Sequence, residues 1–313
     1  MAFAKHETFY IREGWLFKGM SAIKAAENEG ELPTIFLDVD APERLGIGQN
    51  MVKALRFWML ATELSEERLE ERQRTQRLTL FGSQIWHYDR YLEDDSTLWL
   101  IHYHLVSNET HATTWYWFFN HFAPSIFDEN SCIEALSQWV ITRYPDQTIA
   151  PSSLKKDVDC LLQTYLANKA SRSPEDMLES PFSRLRIISR LGDEHLKYYK
   201  LERLEPGRLH PLILLYVLID RQVQLRKRES QVGLGTVLHE PMNAGRIFNL
   251  TTATLSDLLA ELNKNYPEWR IHFVRTAGLD QLTLPEAEPM DILTHYYTER
   301  NARNARYEET RCL

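Results

Sequence analysis

The sequence predicts an α+β, predominantly helical protein. A winged helix-turn-helix-like domain is expected over residues 1–147, and a second helical domain with short strands over 148–313, for which a winged-helix-like plan is one reading. Three observations carry this. The stretch ERLGIGQNMVKALRFW, Glu43–Trp58, sets two close glycines before apolar residues at helical spacing. RLTLFGSQIW alternates weakly around Gly82, as a strand pair does. In the second half, the amphipathic TLSDLLAELNKNY precedes a hairpin-like pair in WRIHFVRTAGLDQLTL around Gly278.

Along the chain, TIFLDVDAP reads as an extended segment ending at Pro42. From Met51 to about Glu71 the pattern is helical, with Met51, Val52, Leu55, Trp58, Met59 and Thr62 forming one apolar stripe. DDSTLWLIHYHL is a helix with N-cap candidates at Asp94 to Ser96. TTWYWFFNHF and CIEALSQWVITR continue in helical style, and PDQTIAPS has the turn chemistry of a domain junction. Beyond it come the helix SLKKDVDCLLQTYL, the strand-like HLKYYKLE and the strongly apolar helix HPLILLYVLIDRQ. The charged tail ERNARNARYEETRCL reads as a frayed helix.

Composition narrows the function classes. At 313 residues, 43% hydrophobic and 26% charged, the chain has the make-up of a soluble globular protein with a substantial core. A net charge of -8 argues against a simple cationic DNA coat, but binding needs only a local basic patch. The cysteines, Cys132, Cys160 and Cys312, are odd in number and form no Cys-x-x-Cys pair, so neither a zinc ribbon nor a disulfide framework is supported. A reduced, cytoplasmic setting follows. No membrane association is expected, because no stretch approaches the ~18 apolar residues of a span.

The glycine-containing stretch admits two chemistries. A phosphate loop would need Gly-x-x-x-x-Gly-Lys-Ser/Thr, but Gly46 and Gly48 are followed by Gln49, Asn50 and Met51. In a helix-turn-helix, ERLGIGQ makes the turn and the following helix presents its first residues to a DNA groove. Asn50, Lys53 and Arg56 then lie off the apolar stripe, with Arg77 on the wing beside Arg74. The competing reading is an ordinary surface helix with solvated charges.

Titratable residues cluster in three places. HETFYIREGWLFKG supplies His6, Glu7, Tyr10, Arg12 and Lys18, which are base, metal-ligand and anion-binding chemistries unless the arm merely docks on the core. HYDRYLEDD holds His87, Asp89, Glu93, Asp94 and Asp95, and magnesium asks for only one or two carboxylates with waters and phosphate oxygens. N-capping also explains part of that group. Asp38 and Asp40, two apart on an extended segment, share a face and make a further pair, although a turn before Pro42 accounts for them too. His102, His104, His111 and His121 show no zinc-binding spacing and read as core or surface histidines.

Taken in order, HETFYIREGWLFKG, DAPERLGIGQNMVKALRFW, YLEDDSTLWLIHYHL and TWYWFFN resemble the SspB family, a bacterial family long described only as a domain of unknown function. ESPFSRLRII, HPLILLYVLID and PMNAGRIFNL fit it less distinctively. The resemblance implies a Mg²⁺-dependent endonuclease that nicks duplex DNA for phosphorothioate modification in antiphage defence. An ATPase, an ATP pyrophosphatase and a cysteine desulfurase would act in the same pathway. It assigns no site residues.

The residues chosen inside those motifs are therefore expectations of the present reading. Double-stranded DNA is contacted by Asn50, Lys53, Arg56 and Arg77. Magnesium is held by some of Asp38, Asp40, Asp89, Glu93 and Asp94. His6 or Glu7 is the base, and Arg12 or Lys18 stabilises developing charge. The alternative is a non-catalytic DNA-binding adaptor that recruits other components of a modification system, which suits the acidic total and the missing nuclease motif. Oligomeric state is open on either reading.

Overall fold

In this computed structural model, which describes residues 1–167, 179–192, 197–226, 229–276 and 279–311, the glycines punctuate the first three helices. Helix α1 (Trp15–Glu29) stops at Gly30, whose left-handed backbone (φ 73°) lets its N–H reach the carbonyls of Ala26 and Glu27. Helix α2 (Ala41–Leu45) stops the same way at Gly46, φ 62°. Gly48 is extended, and α3 (Gln49–Ala61) begins directly after it. The predicted stripe of α3 is real: Val52, Leu55, Trp58 and Met59 are all fully buried. Burying side chains of that size contributes about 1.5–3 kcal/mol each.

Strands β1 (Ser65–Glu70) and β2 (Gln73–Leu78) pair antiparallel, Ser65 opposite Leu78 and Glu70 opposite Gln73. The N–H of Gln76 also reaches the carbonyl of Pro33 at 3.0 Å. Three helices and a hairpin in this order make a winged helix, as expected, but the wing is SEERLE with QRTQRL rather than RLTLFGSQIW. Most of the latter is helix α4 (Leu80–Asp89), capped by the Thr79 hydroxyl, which accepts from the N–H of Gly82 at 2.9 Å. The helical reading of Met51–Glu71 accordingly ends ten residues early, at Ala61. A mostly exposed hairpin carries charges where a half-buried one would alternate, so its period was invisible. TIFLDVDAP likewise forms a short 3-10 turn, Ile35–Leu37, instead of an extended segment.

Helices α5 (Asp95–Ser107) and α6 (Thr113–Asn120) are buried along their lengths except for Asp95, which explains their apolarity on every face. A second winged helix follows: strand β3 (Ile126–Asp128), helices α7 (Glu129–Arg143) and α8 (Pro151–Tyr165), then strands β4 (Ile188–Leu191) and β5 (Tyr198–Leu201). The sheet order is β3-β5-β4. Asp128 and Ser131 form a capping box at the start of α7.

The chain divides into two compact units, Met1–Glu202 and Arg203–Leu313, rather than at 147/148. PDQTIAPS does turn the chain, but α8 beyond it packs on α6 and α7 inside the first unit. Turn chemistry marks a change of direction and cannot say whether the next helix returns to the same core.

The second unit runs through α9 (Pro211–Gln224), β6 (Gln231–Gly233), α10 (Leu234–His239), α11 (Ala244–Ile247), α12 (Thr252–Asn265), β7 (His272–Thr276), β8 (Leu279–Thr283) and α13 (Pro289–Arg311). Its order, β6-β8-β7, repeats that of the preceding sheet, so the winged-helix plan recurs here as well. The predicted hairpin is β7–β8; its turn at Gly278 lies outside the described residues. Among the described residues no helix is long and apolar enough to cross a membrane.

Candidate nucleic-acid interface

The Gly46–Gly48 turn aims the N-terminus of α3 outward, which leaves Asn50 and Lys53 exposed, with the Lys53 ammonium 3.3 Å from Asn50 Oδ1. Arg56 is different. Its guanidinium is tied to Glu67 of β1. Arg77 is more heavily engaged: it donates to Glu70 at 2.7 and 3.0 Å through Nε, at 2.7 Å through a terminal nitrogen, and to Glu27 at 3.2 Å. That guanidinium holds the Glu70 carboxyl below the ordinary glutamate range. Of the four predicted DNA residues, two therefore form an open polar face, and two are occupied by carboxylates that sequence spacing did not pair with them. The wing offers replacements. Arg72 at its turn, in a left-handed conformation (φ 66°), and Arg74 on β2 are exposed and have no carboxylate partner among the described residues.

The N-terminal arm is built for docking. His6 is fully buried, edge-on or stacked against Phe57, Trp58 and Trp115. Its Nδ1 accepts from the N–H of Thr8 at 3.1 Å, so Nε2 carries the hydrogen and donates to Asp157 Oδ1 at 2.8 Å. Asp157 also accepts from the N–H of Ala4 at 2.7 Å and from the Thr114 hydroxyl at 2.7 Å. With both ring nitrogens used and no solvent exposure, His6 is not placed to serve as a base. Glu7 and Thr8 take left-handed conformations in the same turn, and Glu7 is partly exposed.

Arg12 is buried, its guanidinium carbon 5.5, 5.7 and 5.7 Å from the ring centres of Phe9, Tyr10 and Trp15, with no hydrogen-bond partner for Nε. Lys18 donates to the carbonyl of Leu45 at 2.6 Å and so holds the end of α2 to α1.

The carboxylates do not converge. Asp38 and Asp40 lie 3.1 and 4.0 Å from Arg44. Asp89 is buried, its Oδ1 accepting from the N–H of Glu93 at 3.0 Å and its Oδ2 from the N–H of Asp94 at 3.1 Å and the Thr97 hydroxyl at 2.6 Å. Asp94 caps α5 by accepting from the N–H of Ser96 at 2.9 Å. Among the described residues no three His, Cys, Asp or Glu side chains gather as a metal would require. The predicted set thus does not fit a ready-made magnesium site, since Asp89 is buried and already accepts three hydrogen bonds at helix entry, and of Asp89, Glu93 and Asp94 only Glu93 is exposed. The histidines of IHYHL are packed inside, His102 against the Tyr165 hydroxyl at 2.8 Å and His104 against Glu63 at 2.7 Å.

Comparison with known proteins adds the rest. A family model described as protein of unknown function DUF4007 matches residues 3–297. Two crystal structures of SspB, one of them with magnesium ion bound, superpose with TM-scores of 0.81 and 0.82 respectively for the plain and magnesium-bound forms. Each is 28% identical and covers 96% of this chain and 87% of the other. No curated protein matches.

Proposed function

This chain belongs to the DUF4007 family, and from that premise we propose that it handles duplex DNA in an SspB-like role, within phosphorothioate modification for antiphage defence. The observation that carries the reading is a likeness to SspB along 96% of the chain, at a TM-score of 0.82. The geometry supports the DNA part. Asn50 and Lys53 open the exposed face of α3, where a recognition helix meets a groove, and Arg72 and Arg74 stand on the wing, where phosphates pass.

Nicking of one strand is the finer activity of this role. Magnesium, when bound, would polarise the scissile phosphate and activate water. The residues chosen from sequence do not fit a prebuilt site for it, so no step is assigned through the ion. An ATPase, an ATP pyrophosphatase and a cysteine desulfurase of the same pathway are the partners this role implies.

A second reading is favoured by one observation: Asp89 and His6, the residues best suited to chemistry by type, are consumed by internal hydrogen bonds. In that reading the chain binds DNA and recruits the enzyme that cuts it. Supercoiled plasmid incubated with Mg²⁺ or with EDTA separates the two. Relaxation only with Mg²⁺, reduced in Glu93→Ala, is the outcome expected of a nickase. A mobility shift of the plasmid without relaxation at any metal would replace that reading with the adaptor. Glu93 is the informative position, because loss of the Asp89 carboxylate would also damage the entry to α5.

A further inference from the structure

Four side chains that duplex binding leaves unused gather where α1 packs against α4. The rings of Phe17 on α1 and Trp86 on α4 lie 6.2 Å apart and nearly parallel, at 9°. Tyr91, just after α4, has its ring 4.6 Å from Phe17. The guanidinium carbon of Arg90 sits 5.1 Å from the centre of the Trp86 ring and 5.8 Å from that of Tyr91. An aromatic group of this size inside a core would be closed on every side. Here Tyr91 is 59% exposed, and Phe17 and Trp86 are only half-buried.

The charge points toward nucleic acid. Arg90 is exposed and has no carboxylate partner among the described residues. The aspartates on either side of it in sequence have other duties: Asp89 and Asp94 organise the start of α5, and Asp95 lies 3.1 Å from Arg184. An aliphatic protein surface would cover the rings and leave this guanidinium desolvated without an anion. A nucleotide supplies both halves, a π-face for the rings and a phosphate for the arginine.

We propose that Phe17, Trp86, Tyr91 and Arg90 form a stacking platform for an unpaired nucleotide, so that single-stranded DNA is a ligand of this chain beside the duplex face. The proposal rests on the DNA-handling reading above and adds to it where a strand goes once it leaves the helix. Aromatic stacking is tolerant of base identity, so the platform serves any sequence.

The test is fluorescence anisotropy of the whole chain with three labelled probes: an oligothymidylate of about a dozen nucleotides, an abasic strand of the same length, and a blunt duplex of about twenty base pairs. Tyr91→Ala should weaken oligothymidylate binding about ten-fold, a typical loss for one stacked base, while Tyr91→Phe retains it. Arg90→Gln should weaken both single strands. The abasic strand should bind wild type more weakly than oligothymidylate and be indifferent to Tyr91→Ala. Wild-type chain that fails to bind oligothymidylate, or that binds it no better than the abasic strand, overturns the platform and leaves the rings to a protein partner. So does equal oligothymidylate affinity in wild type and Tyr91→Ala. The duplex probe reports separately: its loss with single-strand binding intact counts against the duplex face alone.

Discussion

His6 Nε2 lies 2.8 Å from Asp157 Oδ1 across 151 residues of sequence, and both side chains are buried. The bond fastens the N-terminal arm to α8, and it is one reason the first unit extends to Glu202 instead of ending before α8. Asp157 is the shared acceptor of an imidazole, a backbone N–H and a threonine hydroxyl, so its removal strands two buried donors and a part-buried one.

Asp157→Ala should therefore destabilise the first unit by about 2–6 kcal/mol, at about 1–3 kcal/mol for each buried donor left without a partner. Chemical denaturation followed by tryptophan fluorescence would read it. A midpoint within error of wild type would show that the arm is not anchored there.

Lys53→Ala and Arg72→Ala should each weaken duplex binding to all sequences alike, and each should lower the slope of log affinity against log salt by about 1. Arg77→Gln should change that slope much less, because its guanidinium already serves Glu70 and Glu27. Salt titrations of the three variants against one duplex decide the matter. Equal slopes for Lys53→Ala and wild type would remove α3 from the interface.

Arg77 has a pH signature instead. Its hydrogen bond to Glu70 lowers the folded-state pKa of that carboxyl below the ordinary value. The pair thus adds stability above the unfolded value, about 4.3, and loses it as pH falls through the folded one. The difference in melting temperature between wild type and Arg77→Gln should be full above about pH 5 and shrink steadily below that. A gap that stays constant through the acid range would mean that packing, and not the ion pair, is what Arg77 supplies.

Gly82→Ala tests the start of α4. A Cβ at this position would fall 1.9 Å from the carbonyl oxygen of Leu64 and 2.8 Å from its carbon, both of them backbone atoms that cannot swing aside. Forcing α4 away from the entry to β1 should cost at least about 1–3 kcal/mol. Thermal unfolding indistinguishable from wild type would contradict the close approach.

The sequence by itself determined what local physics controls. The stripe Val52, Leu55, Trp58 and Met59 specified α3 and its buried face, since helical spacing is a property of consecutive residues. Asp94 announced the N-cap of α5, and Gly46 the turn before α3, because capping and left-handed turns act over four or five residues. The predominantly helical α+β class followed from such elements. Only the tertiary structure decided which charged groups remained available. His6, Arg56, Arg77 and Asp89 have the side chains that DNA binding or catalysis calls for, yet each is satisfied by partners brought to it by folding. For His6 the partner is 151 residues away, and for Arg77 one of them, Glu27, is 50. Composition and spacing carry no information about such distant pairings, and a charge answered inside the protein is no longer free to answer a ligand. The aromatic platform shows the same limit from the other side: Phe17 joins Trp86 and Tyr91 only because α1 packs against α4.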